Sequence, residues 1–129
     1  RQRQMCIRDS INAALGCAQL ENLDRYVADK RETAARYAEF FKGKEDITFF
    51  TEPADCKSNY WLNAVVLKDK AAQLDFLEYT NDHGVMTRPV WELMNRLPMF
   101  EHCETDGLEN TEWLADRVVN IPSSVRLDK

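Results

Sequence analysis

The sequence has few of the features that mark an independent catalytic centre. Its 129 residues contain no glycine-rich phosphate loop, no Gly-x-Ser-x-Gly elbow and no His-Glu-x-x-His pair. The lysines at positions 42, 44, 57, 68 and 70 stand in polar loops or at the ends of predicted elements. Nothing there would desolvate an amine and turn it into a nucleophile. We therefore expect no catalysis by this chain in isolation.

The two histidines and four cysteines are far apart in the sequence. His83 precedes Gly84 at a predicted helix end and His102 lies in a polar connection, so neither has the partners of a catalytic dyad or a metal site. The cysteines lack the close pairs that zinc sites use, which predicts free thiols at Cys6, Cys17, Cys56 and Cys103. We expect Cys17, which lies among small residues, to pack as a hydrophobe.

Neither a positive patch nor a long apolar run is present. The 17 basic and 22 acidic residues are interspersed and give a net charge of -5, which argues against nucleic acid as a partner. No apolar run approaches the roughly 20 residues that a membrane span needs, and no signal peptide with an apolar middle is visible. These absences lead us to expect a cytoplasmic protein without membrane contact.

The first patterned segment is predicted to be one long amphipathic helix over residues 11–42, ended by Gly43. At about 1.5 Å per residue it would extend roughly 45 Å, more than a domain of this size needs for its own core. Its first half, residues 12–18, consists of small residues that allow close approach of another backbone. We expect this helix head to pack on a partner domain that is absent from the chain. Residues 1–10 lack periodicity and are interpreted as a non-native leader or a disordered basic tail.

Residues 43–129 are predicted to form a small α+β domain, a sheet covered by helices. The strand over residues 60–67 is apolar on both faces, which indicates a central strand that is covered twice. The other predicted elements are a strand over 47–50, a helix capped by Asp69 that ends at Gly84, a strand over 85–88 that Pro89 ends, a helix capped by Asn110 or Thr111 that includes Val118 and Val119, and an edge strand over 120–124.

Arg88 is the most informative single residue. It is predicted to lie at the exit of a strand, before a loop with Pro89 and Trp91. An arginine keeps its charge and presents a planar fork of donors, so this position suits the recognition of an anion. The alternative is that Arg88 is solvated or pairs with a nearby carboxylate.

Several strings, in this order and spacing, together resemble the C-terminal part of the DegT/StrS sugar aminotransferases. The similarity covers nearly all residues from Ile11 to Arg126 and is carried by Asn12–Glu21, Lys30-Arg31, Ser58–Leu62, Gly84–Trp91 and Asn120–Ser124. The resemblance implies the small C-terminal domain of the aspartate aminotransferase fold, which is fold type I of the pyridoxal phosphate (PLP) enzymes. It also implies a homodimeric parent enzyme that aminates a nucleotide-linked 4-keto-6-deoxy sugar, with glutamate as the donor.

Two further strings, Ser58–Asn63 and Leu93–Phe100, are similar to the branch of the family that serves legionaminic acid and related nonulosonate pathways, or surface polysaccharide synthesis. Many relatives have a histidine where Asn95 stands, so no role of that histidine transfers to this chain. In the family, the lysine that holds PLP precedes this segment. An asparagine that reaches the cofactor phosphate belongs to a stretch whose place is taken here by Met5. The resemblance therefore implies an inactive fragment without cofactor-binding residues.

The remaining candidate site residues are Arg88, Trp91 and Tyr60. The resemblance places them at the mouth of the site, where Arg88 would meet substrate phosphate or a neighbouring carboxylate. Trp91 and Tyr60 would pack on the sugar or base, or alternatively fill the core. A second hypothesis for the whole chain is a stand-alone module for small-molecule binding or dimerisation, without catalysis.

Overall fold

The computed structural model describes residues 10–126, and the predicted leader, except for Ser10, lies outside them. This part of the chain contains four α-helices, four strands and a short 3-10 helix, Met94–Arg96. The helices are α1 (Asn12–Leu20), α2 (Leu23–Phe41), α3 (Lys70–Asp82) and α4 (Glu109–Ala115). The strands are β1 (Ile47–Phe49), β2 (Asn63–Leu67), β3 (Arg88–Pro89) and β4 (Val118–Ile121). Their order along the chain is α1-α2-β1-β2-α3-β3-α4-β4, with the 3-10 helix between β3 and α4.

The prediction of one uninterrupted helix over residues 11–42 is wrong, because Glu21 and Asn22 separate α1 from α2. The Asn22 side chain donates a hydrogen bond to the carbonyl of Ala18 (3.0 Å), and its backbone N–H bonds three residues back, to Gln19. Asparagine competes with the helical backbone in this way, which explains the break. Gly43 follows the end of α2 with a φ of 76°, as predicted.

The strands form one antiparallel sheet in the order β1-β2-β4-β3. Phe49, Val65 and Val119 lie opposite one another in the register and share one face, which is buried. Residues of α2 and α3 pack against this core; they include Tyr37, Ala38, Phe41, Ala72, Phe76 and Leu77. Since both helices contribute to this core, the central strand β2 is covered on one face and not on two.

The opposite face of the sheet is only partly covered. Ala64 and Val66 of β2 are half-buried, whereas Val65 and Leu67 beside them are buried. Two predicted strand assignments are also wrong: β4 is an interior strand that ends before Pro122, and β3 contains Pro89. Proline is tolerated in β3 because this strand lies at the edge of the sheet.

Local signals at the ends of α3 behave as predicted. The carboxylate of Asp69 accepts a hydrogen bond from the N–H of Ala72 (2.8 Å), and Gly84 takes a φ of 76° after the last turn. His83 lies at this helix end, as predicted, and contacts the carbonyl of Tyr79 through Nδ1 at 2.7 Å.

The last helix and Cys17 depart from expectation. Helix α4 ends at Ala115, because Val118 and Val119 belong to β4. Cys17 is exposed, as is every residue of α1, so it does not pack within the described part of the chain. The described cysteines are free thiols, as predicted. Within residues 10–126, none of the helices combines the length and apolar character that a bilayer crossing requires.

Candidate functional site

A groove of about 590 Å³ lies where the edge strand β3, the end of β4 and the turn before β2 meet. These segments converge because Asn63 at the start of β2 pairs with Ile121 at the end of β4, and Arg88 pairs with Asn120. The groove is lined by Lys30, Trp61, Leu62, Met86, Arg88, Pro89, Val90, Trp91, Asn120, Ile121, Ser123 and Ser124.

Arg88 is an exposed residue at the start of β3. Its register partner is Asn120, so both residues lie on the face of the sheet that the helices leave open. The polar contact of its guanidinium is a long one, from Nη2 to Sδ of Met86 at 3.6 Å. No carboxylate among residues 10–126 forms an ion pair with it. The guanidinium fork therefore faces the groove with its donors available.

Lys30 brings a second positive charge to the groove from α2. Its Nζ donates to the carbonyl of Ser123 (2.5 Å) and lies 3.5 Å from the carbonyl of Trp61. These contacts connect the helix to the end of β4 and to the turn before β2. Lys30 thus connects two groove-lining segments.

Two tryptophans give the groove its apolar walls. Trp91 is 80% exposed and Trp61 is 69% exposed, although indole rings are usually well covered in a folded protein. Trp91 therefore does not fill the core, which was the alternative for this residue. Exposed indoles beside cationic groups offer flat surfaces on which a ring or an apolar sugar face can pack.

Tyr60 lies outside the groove lining. Its hydroxyl accepts a hydrogen bond from the N–H of Glu52 (3.1 Å), and its ring lies 5.6 Å from the guanidinium carbon of Arg31. Strand alternation predicted that Tyr60 and Trp61 face opposite ways in one strand. The strand instead begins at Asn63, and Tyr60 has a φ of 46°, so the turn brings Trp61 to the groove. Arg88 and Trp91 are thus brought together, and Tyr60 is held apart from them.

An ion pair between Arg31 and Glu52 supports the turn that carries Trp61. The guanidinium donates to both carboxylate oxygens, at 2.6 and 3.0 Å, and the same carboxylate accepts from the N–H of Ser58. These hydrogen bonds lower the pKa of Glu52 to about 2, with the bond from Arg31 as the largest cause. The carboxylate therefore stays charged throughout the neutral range.

Sequence reasoning missed Trp61 and Lys30 as groove residues. Lys30 and Arg31 belong to the strings that carry the family resemblance, but the sequence assigns them no role. Nothing in the local sequence indicates that a residue of α2 contacts the distant turn before β2. Trp61 was assigned to a strand interior. The sharp turn at Tyr60 has no local signature, since positive φ is uncommon for tyrosine.

Metal chemistry finds no support in the described residues. Residues 10–126 contain no group of three or more His, Cys, Asp or Glu side chains placed to hold a metal ion. The groove lining also has no carboxylate, so its charged groups, Lys30 and Arg88, are both cationic. The geometry suits an anionic ligand with a flat or apolar part.

The chain is similar in sequence and in structure to known proteins. EpsN of Bacillus subtilis (strain 168), whose name assigns it provisionally to the pyridoxal phosphate-dependent aminotransferases, is 29% identical over 118 residues. GDP-perosamine synthase of Escherichia coli O157:H7 is 27% identical over 116 residues. Each alignment covers 88% of this chain and 30% of the relative, so the chain spans about a third of the length of these proteins.

Among solved structures, PseC of Helicobacter pylori, an aminotransferase involved in the biosynthesis of pseudoaminic acid, superposes with a TM-score of 0.80 at 19% identity. The superposition covers 89% of this chain and 32% of PseC. The likeness shows the predicted fold: the small α+β domain of PLP fold type I, the aspartate aminotransferase fold. A family model matches residues 7–129, nearly the whole chain. The chain therefore belongs to the DegT/DnrJ/EryC1/StrS aminotransferase family.

Proposed function

We propose that this chain is the C-terminal small domain of a PLP-dependent aminotransferase that acts on a nucleotide-linked 4-keto-6-deoxy sugar. The observation that carries the proposal is the groove, where the Arg88 guanidinium has no carboxylate partner among the described residues and lies beside exposed Trp91 and Trp61. Family membership and the similarity to a GDP-perosamine synthase support the same reaction class.

The chemistry of the groove matches the parts of such a substrate. A nucleotide-linked sugar carries a diphosphate, a flat base and a sugar with an apolar face. Arginine binds phosphate oxygens with two parallel hydrogen bonds, and indole rings pack on bases and sugars. Asn120 and Ser124, which also line the groove, supply polar groups of the kind that orient sugar hydroxyls. We assign substrate binding to Arg88 and Trp91 on these grounds.

Tyr60 was predicted as a third substrate-binding residue. Its hydroxyl and ring are engaged by Glu52 and Arg31, outside the groove lining. We therefore propose for Tyr60 an indirect role, in the conformation of the turn that presents Trp61.

Among residues 10–126, the groove lining does not supply the residues that a PLP site needs. PLP requires a lysine amine that can form an imine and a carboxylate facing the pyridine nitrogen. Lys30 is the lysine that lines the groove, and its amine is bonded to the carbonyl of Ser123; the groove lining supplies no carboxylate. We propose that the cofactor and its lysine belong to another part of the complete protein, and that the 129-residue chain alone is inactive.

The pathway and partners follow from the same proposal. We propose glutamate as the amino donor, a homodimeric complete protein in the cytoplasm, and a place in nonulosonate or surface polysaccharide synthesis, with the legionaminic acid branch favoured by Ser58–Asn63 and Leu93–Phe100.

The proposal is tested by the substitution Arg88→Ala in the complete protein. Loss of charged hydrogen bonds to phosphate should raise the KM for the nucleotide-linked sugar by about tenfold to a hundredfold, and leave the KM for glutamate unchanged. The matched control is Arg36→Ala, because Arg36 is an exposed arginine on α2 that pairs with Glu32. Unchanged kinetics in Arg88→Ala would remove Arg88 from the substrate site.

A further inference from the structure

The turn over residues 58–62 presents Trp61 to the groove in a conformation that requires support. Tyr60, in the middle of the turn, has a φ of 46°, in the left-handed region that costs a non-glycine residue free energy. Such a conformation persists only where surrounding contacts determine it. Trp61 itself is 69% exposed, so side-chain packing contributes little to holding its position.

Hydrogen bonds fix the backbone on both sides of this strained residue. The N–H of Ser58 donates to Glu52, the N–H of Tyr60 donates to Oγ of Ser58 at 3.0 Å, and the N–H of Trp61 donates to Oδ1 of Asn59 at 3.0 Å. The orientation of Trp61 therefore comes from the backbone of the turn.

The turn is connected to α2 through Arg31. The guanidinium donates to both oxygens of Glu52 and to the carbonyl of Ser58 (2.5 Å), and it lies over the ring of Tyr60. Glu52 in turn receives the N–H of Ser58, so one carboxylate joins the helix and the turn. Bidentate pairing of this kind fixes geometry as well as adding stability. No groove-lining residue belongs to the Arg31–Glu52 pair itself.

We propose that Arg31 and Glu52 are positioning residues that set Trp61 as the wall of the groove against which the flat part of the nucleotide-linked sugar packs. This inference rests on the proposed function and deepens it, because it makes Trp61 a specificity-determining residue and gives the contacts between the turn and Arg31 a role in binding. Arg31 and Glu52 act through Trp61 and do not touch the substrate.

A double-mutant cycle in the complete protein tests the proposal. Trp61→Ala should raise the KM for the nucleotide-linked sugar about tenfold, and Glu52→Gln should raise it about threefold, with the KM for glutamate unchanged in both. Because Glu52 acts through Trp61, adding Glu52→Gln to Trp61→Ala should produce no further increase. An equal threefold increase in both backgrounds would overturn the proposal.

Asp69→Ala is the control for a general loss of stability. It removes the cap of α3, which is not part of the groove, and should weaken the fold without changing either KM. If Asp69→Ala raised the sugar KM as Glu52→Gln does, the effect of Glu52 would be structural only and the proposal would fail.

The outcomes separate this inference from the proposed function. If Arg88→Ala raises the sugar KM while Trp61→Ala and Glu52→Gln leave it unchanged, the groove binds substrate but the positioning role is wrong. If all three variants leave the sugar KM unchanged, the groove is not the substrate site, and both proposals fail.

Discussion

Arg88 and Glu52 show how strongly the surroundings of a single charged residue decide its use. Glu52 has its carboxylate oxygens occupied by Arg31 and by the N–H of Ser58, whereas the polar contact of Arg88 within residues 10–126 is with the sulfur of Met86. A charged group with its hydrogen bonds made inside the protein fixes the chain around it, whereas a guanidinium with available donors can bind an anion. Glu52 therefore supports the turn beside the groove, and Arg88 offers a binding group within it.

The low pKa of Glu52 makes a pH-dependent contribution to stability. Its folded-state pKa of about 2 lies below the ordinary value of 4.5, so the contribution is fully present above pH 4.5 and is lost as the pH falls toward 2. We expect Glu52→Gln to lower the free energy of unfolding above pH 4.5, with a difference from wild type that shrinks below that pH. Urea unfolding of the 129-residue chain at a series of pH values measures this. A difference that stayed constant down to pH 2 would contradict the assigned ion pair.

The sequence allowed Arg88 and Trp91 to be placed near each other, because Arg88 belongs to a short strand and Trp91 follows that strand closely. The sequence could not show that Trp61 lines the groove and Tyr60 does not. Their separation depends on a single positive φ and on the distant residues Arg31 and Glu52, and no local pattern records either.

Among the helices and strands, the two ends of α3 could be predicted, because their signals are local. Asp69 and Gly84 bound α3 as their residue types indicate. Strand order could not be predicted, because the position of β4 between β2 and β3 depends on pairing between residues far apart in sequence. The coverage of β2 on one face could not be predicted either, because it depends on both core-packing helices lying on the same side of the sheet.

The positive φ of Gly84, at the end of α3, can be tested by substitution. Gly84→Ala should lower the free energy of unfolding by about 1 kcal/mol, because alanine is strained at positive φ. The cost is purely conformational, since an added Cβ at this position would meet nothing within 4 Å. Gly107→Ala is the matched control, because Gly107 has equal room and no positive φ, and its stability should stay within about 0.5 kcal/mol of wild type. Equal effects of the two substitutions in chemical unfolding would refute the assigned conformation at Gly84.

For the whole molecule, the most telling feature is α1, which has no buried residue. Ile11, Leu15 and Leu20 are each more than half exposed, although all three are large and apolar. The sequence predicted that this helix head packs on another domain, and the exposure within the described chain agrees with an apolar surface that its own residues leave uncovered. Composition and periodicity could indicate such a surface, but did not reveal that Glu21 and Asn22 separate α1 from α2.

The surroundings of α1 can be compared between the 129-residue chain and the complete protein. Leu15→Glu should change the free energy of unfolding of the 129-residue chain by no more than about 0.5 kcal/mol, because Leu15 is 59% exposed there. In the complete protein the same substitution should lower the Tm by several degrees, since a charge would be buried against the partner domain. Thermal unfolding of both proteins measures the difference. Equal, small effects in the two contexts would show that α1 is a free surface.

We propose that this chain is the small domain of a PLP-dependent sugar aminotransferase whose cofactor lysine lies in another part of the protein. The visible absorbance of the purified complete protein tests it most directly. We predict a PLP absorbance band that shifts when glutamate is added and recovers when a nucleotide-linked keto-sugar is supplied, with no such band for the 129-residue chain incubated with PLP. A complete protein without this band, or a band formed by the 129-residue chain alone, would contradict the account.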